Sequence, residues 1–60
     1  MAKVLIVDDT ETVRDSISLL IERLGHKPEA VESGQEAIDA LKQNQYALVL
    51  MDYRMPPGIN

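Results

Sequence analysis

Sixty residues allow at most one small domain, and a chain this short buries only about 60% of its unfolded surface, so its core is thin. No cysteine means no disulfide and no thiolate metal site, and a single histidine is too few for a histidine-based metal cluster. A net charge of −4 disfavours direct binding to nucleic-acid phosphates, and an apolar content of 45% is ordinary for a folded chain.

Val4-Leu5-Ile6-Val7 is a short, continuous apolar run rich in β-branched residues that stops abruptly at Asp8-Asp9. It predicts a strand buried on both faces, as in a parallel sheet. Four apolar residues are too few for a signal-peptide core or a membrane span, so a soluble, cytoplasmic protein without membrane contact is expected.

From Thr10 to Leu24 the period changes. Val13, Ile17, Leu20, Ile21 and Leu24 form one stripe of a helix. Asp9 or Thr10 can cap its start, and Glu11 and Asp15 suit its positive end. Arg23 falls in the last turn, and Gly25 fits the left-handed position after it.

Pro28-Glu29-Ala30-Val31-Glu32 alternates weakly, and its proline cannot donate to a ladder, so it reads as an edge strand. Ser33-Gly34-Gln35-Glu36 matches a capping box, with Ala37, Ile38 and Leu41 as the buried stripe of a second helix ending near Asn44. Ala47-Leu48-Val49-Leu50-Met51 is a second fully apolar run, ending at Asp52, and residues 53–60 read as a loop.

The order β-α-β-α-β predicts an α/β fold with a parallel sheet and right-handed crossovers. A buried first strand and an edge second strand fit the strand order 2-1-3. That order leaves the third strand with an open apolar edge, an aggregation liability, so something is expected beyond it.

Ligands of open parallel sheets bind outside the carboxyl ends of the strands. Asp8 and Asp9 follow the first strand and Asp52 the third; on neighbouring strands about 4.8 Å apart, these carboxylates converge. Such like charges repel, and a divalent cation relieves the repulsion. An oxygen-only ligand set favours Mg²⁺ or Mn²⁺ over zinc. A lone Asp after a strand is ordinarily a helix cap or turn residue; three at adjacent strand ends are harder to explain that way. His26 stands on the far side of the fold from these acids and reads as a surface or packing residue. Met51 and Met55 read as packing, and Tyr46 and Tyr53 as boundary residues.

Val7-Asp8-Asp9, Ser33-Gly34-x-Glu36-Ala37 and Met51-Asp52-x-x-Met55-Pro56, in this order and at these spacings, resemble the receiver domains of two-component systems. The resemblance covers essentially the whole chain, residues 1–60, as the first three strands and two helices of a flavodoxin-like receiver fold. It implies a truncated doubly wound parallel sheet, half of the family's 2-1-3-4-5 order. It also implies Asp52 as phosphoacceptor, Asp9 as a direct Mg²⁺ ligand and Asp8 holding the metal mainly through water. Arg54 would supply a backbone carbonyl to the metal, and its side chain would face the site entrance. The implied donor is a phosphohistidine of a sensor histidine kinase or phosphotransfer protein. The family also uses a Ser or Thr after its fourth strand and a Lys after its fifth. Lys3, Lys27 and Lys42 stand at no suitable strand end, and Pro57-Gly58 departs from the family's usual spacing.

Three functions compete. One is a phosphoacceptor signalling module, with at most self-phosphorylation and self-dephosphorylation as its own chemistry. The second is a non-phosphorylated half-receiver that acts as a dimerisation or interaction module, either pairing with its own copy through strand three, Ala47 to Met51, or receiving the missing receiver half. The third, a haloacid-dehalogenase-type phosphatase, wants Asp-x-Asp after strand one, and Asp8-Asp9-Thr10 lacks the second Asp at that spacing.

Overall fold

The computed structural model describes residues 2–51. The elements are β1 (Lys3–Val7), α1 (Glu11–Arg23), β2 (Lys27–Val31), α2 (Gly34–Gln43) and β3 (Leu48–Met51). The strands form one parallel sheet in the order β2-β1-β3, the open α/β architecture expected from the alternation of strands and helices. Lys3 pairs with Lys27 and Val7 with Val31 on one side, Val4 with Leu48 and Val7 with Met51 on the other.

β1 is central, and Val4, Leu5, Ile6 and Val7 are all buried. Alternation splits them between two layers. Val4 and Ile6 pack with Ile21 and Ile17 of α1 and with Leu50; Leu5 and Val7 pack with Ala37 and Ala40 of α2, Val31 and Tyr46. Complete burial of a side chain such as Leu5 contributes roughly 1.5–3 kcal/mol.

α1 ends in a Schellman motif. Gly25 N–H donates to the Glu22 carbonyl and His26 N–H to the Ile21 carbonyl, both near 3 Å, with Gly25 at φ +86°. α2 starts on Ser33, whose Oγ accepts the Glu36 N–H at 3.2 Å. The Glu36 carboxylate reaches back to the N–H of Glu32, one residue earlier than the reciprocal partner of a capping box.

Four expectations need correction. Thr10 occupies the N-cap of α1 without capping it, because its hydroxyl turns to Asp9 Oδ1 instead. The α1 stripe is only partly covered: Ile21 is buried, while Leu20 and Leu24 are more than half exposed, because a sheet of three strands covers only part of the stripe. α2 buries Gly34 and Ala37 rather than Ile38 and Leu41, since small residues let the helix approach closely. β3 is shorter than expected and is not buried on both faces. Leu48, Val49 and Met51 are exposed because β3 is an edge and the helices lie over the centre of the sheet.

Candidate functional site

Parallel strands send their carboxyl ends to one end of the sheet, the end at which open α/β sheets bind ligands. Asp8 leaves β1 there. It is only 5% exposed, and its N–H, carbonyl and Oδ1 are all engaged. Its N–H donates to the Val31 carbonyl at 3.1 Å, prolonging the ladder to β2. Its Oδ1 accepts the Thr10 N–H at 2.8 Å. Its carbonyl accepts from Arg14 Nη1, also at 2.8 Å. A buried carboxylate is tolerated only with such partners.

Asp9 is exposed and, among the described residues, accepts only from the Thr10 hydroxyl, at 3.3 Å. The two acids therefore differ: one is buried and locked, the other open to solvent. Both precede the N-terminus of α1, whose dipole favours negative charge. The donors are carboxylate oxygens, a hard set that favours Mg²⁺ or Mn²⁺ over zinc. Among the described residues no three acidic or histidine side chains gather into a metal site. The two remaining expected members, Asp52 and Arg54, lie outside the described residues. The last residue of β3, Met51, pairs with Val7, the residue before Asp8.

Arg14 was not singled out by sequence reasoning. It sits on the first turns of a helix six residues from its partner, a loop-to-helix contact that leaves no periodic signature.

His26 stands at the other end of the sheet, as expected. Its Nδ1 accepts the Ala2 N–H at 3.0 Å, and Lys27 N–H closes on the Ala2 carbonyl at 2.8 Å. That end also carries a polar cluster invisible in the sequence. Lys3 Nζ reaches Asn44 Oδ1 at 3.1 Å and Glu29 Oε1 at 3.7 Å, and lies 5.1 Å from the Tyr46 ring centroid. The Tyr46 hydroxyl donates to Glu29 Oε2 at 2.6 Å. This bond, with some loss of solvent and the Glu29 charge, raises the Tyr46 pKa above its ordinary value, against a smaller lowering by Asn44. The cluster joins β1, β2 and the segment before β3, far from the acids, and reads as a structural clamp.

No helix among the described residues is long and apolar enough to cross a membrane. A family model described as response regulator receiver domain matches residues 4–60. Probable histidine kinase 1 of Oryza sativa subsp. indica is 40% identical over 55 residues, which are 92% of this chain and 6% of the kinase. The gliding motility regulatory protein of Myxococcus xanthus is 39% identical over 54 residues, 90% of this chain and 7% of that protein. Protein PilH of Pseudomonas aeruginosa is 37% identical over 60 residues, all of this chain and 49% of PilH.

Proposed function

The chain belongs to the response regulator receiver domain family, and from that premise we propose that it is a phosphoacceptor module of a two-component phosphorelay, with Asp52 as the acceptor. The observation that supports this reading is the Asp8-Asp9 pair at the carboxyl end of the central strand, beside the end of β3 after which Asp52 follows in sequence. An Asp52 carboxylate oxygen attacks the phosphorus of a phosphohistidine. The P–N bond breaks, an acyl phosphate forms, and the freed imidazole takes up a proton. Mg²⁺, when bound, would offset the charge of the incoming phosphoryl group. Asp9 would hold it directly, Asp8 mainly through water, and Arg54 through its backbone carbonyl.

The partner on this reading is a sensor histidine kinase or phosphotransfer protein, in the cytoplasm, with neither nucleic acid nor membrane contacted directly. One of the relatives is itself named as a histidine kinase. Lys3 and Lys27 begin strands and Lys42 is in the last turn of α2, so none stands at the acid end of the sheet. The cation and hydroxyl that the family places against the phosphoryl group would come from outside these 60 residues.

Incubation with acetyl phosphate and Mg²⁺, followed by intact mass spectrometry, tests the proposal. A labile phosphoryl adduct is expected, absent in Asp52→Asn and reduced in Asp8→Asn. An unchanged adduct in Asp52→Asn would remove Asp52 from its role.

A second reading rests on β3. Its exposed Leu48, Val49 and Met51 at an open edge fit an interaction module that takes either a second copy or the other half of a receiver sheet. Two copies pairing β3 antiparallel would form a sheet in the order 2-1-3-3′-1′-2′, with the acid pairs at opposite ends of the new strand pair.

A further inference from the structure

We infer that Arg14 is a positioning residue for the Asp8-Asp9 pair: its guanidinium holds the Asp8 carbonyl and restrains the peptide unit through which Asp9 is presented. The inference rests on the reading of Asp8 and Asp9 as a Mg²⁺ site.

Arg14 stands at the end of the first turn of α1 and touches the three-residue turn between β1 and α1 twice, once through its backbone, as any residue there would, and once through its side chain. Its backbone N–H donates to the Thr10 carbonyl at 3.0 Å, and its guanidinium donates to the Asp8 carbonyl at 2.8 Å. The Asp8 carbonyl belongs to the peptide unit that joins Asp8 to Asp9. That unit is already spanned by the turn in which Asp8 Oδ1 accepts the Thr10 N–H, and the Arg14 bond to its carbonyl adds a second restraint. Among the described residues the Asp9 side chain has one contact, with the exposed Thr10 hydroxyl at 3.3 Å. The bond to Arg14 thus restrains the peptide unit from which the Asp9 side chain projects.

Arginine is a poor choice at this place on other grounds. A cation near a helix N-terminus opposes the helix dipole, and it also opposes a metal ion nearby. Nor does Arg14 offset these costs by pairing with either acid, since no ion pair joins it to Asp8 or Asp9 among the described residues. The guanidinium instead spends a charge-assisted bond on a backbone carbonyl, which makes sense for a group that positions a loop. Partners that orient metal ligands typically affect metal affinity by about 10–100-fold.

The charge effect and the positioning effect have opposite signs, which makes the test decisive. Mg²⁺ is titrated into the protein and its Arg14→Met and Arg14→Lys variants, following the amide resonances of Asp8, Asp9 and Thr10, with folding stability measured alongside. Binding about tenfold weaker or more is expected in Arg14→Met, with Arg14→Lys intermediate. Affinity in Arg14→Met equal to or tighter than that of the parent overturns the inference and leaves the acid site standing. Reduced stability with unchanged affinity also overturns it, since that marks a purely structural bond. If the folded parent itself binds no Mg²⁺ at millimolar metal, both the site and the inference fall. Should Arg14→Met not fold, the guanidinium resonances of Arg14 in the parent decide: they are expected to be restrained and to shift with Mg²⁺, and no shift overturns the inference.

Discussion

The Tyr46 hydroxyl and the Glu29 carboxylate, seventeen residues apart, share a 2.6 Å hydrogen bond that ties the approach to β3 to the far edge strand. Tyr46 and Glu29 reach each other across β1, and Lys3 of that central strand lies between them.

The first prediction concerns this bond. Tyr46 ionises above the ordinary tyrosine value, so the folded state holds the phenol proton more tightly than the unfolded chain. The contribution to stability is fully present below about pH 10, the ordinary tyrosine range, and is lost as pH rises through the folded value. Ultraviolet titration in a Tyr53→Phe background should show the raised value. Glu29→Gln should bring it down, because the carboxylate is the leading cause of the shift. An unchanged titration in Glu29→Gln would show that the pair does not form.

The second prediction isolates backbone conformation. Nothing lies within 4 Å of where a Cβ on Gly25 would project, yet Gly25 sits at φ +86°. Gly25→Ala should therefore destabilise by about 1–2 kcal/mol through the left-handed backbone alone. Chemical denaturation measures it, and a cost near zero would mean that the turn after α1 relaxes to another form.

A third prediction separates the buried from the exposed side of α2. Ala37 is 2% exposed and packs on Leu5 and Val7, so Ala37→Leu should cost about 1–3 kcal/mol by overpacking. Ile38 is 50% exposed, and Ile38→Ala should change stability by less than about 0.5 kcal/mol. A reversal of that order would mean α2 is rotated on the sheet.

Much of this architecture is legible in the sequence. The apolar run of β1 announces a central strand, Pro28 an edge, Gly25 the end of α1, and Ser33 with Glu36 the start of α2. Periodicity fails at Leu20, Leu24, Ile38 and Leu41, because it gives the width of an apolar stripe and not how much of it three strands can cover. The placement of the candidate Asp8-Asp9 pair at the carboxyl end of β1 is legible from its place after the apolar run. The hydrogen bonds that distinguish the two acids are not, since they depend on the turn geometry that brings Thr10 and Arg14 back onto Asp8.

The fourth prediction addresses the open edge. If two copies join through β3, Val49→Lys should shift the protein toward monomer in sedimentation equilibrium, because it places a charge in the middle of the pairing strand. Val49 is 37% exposed and pairs in register with Leu5, so the parent strand itself should survive the change. A concentration-independent monomer before the substitution would exclude the pairing.

The opposite edge of the sheet behaves differently. β2 carries Pro28, which has no N–H to offer a newcomer, flanked by Lys27 and Glu29. Sheet extension is thereby directional: a strand can be added past β3 but is discouraged past β2. Two such molecules meeting at β3 would present only blunted margins outward, so edge pairing would terminate at a pair and would not propagate into a fibre. The proline that marks β2 as an edge thus limits the size of any assembly built on the sheet.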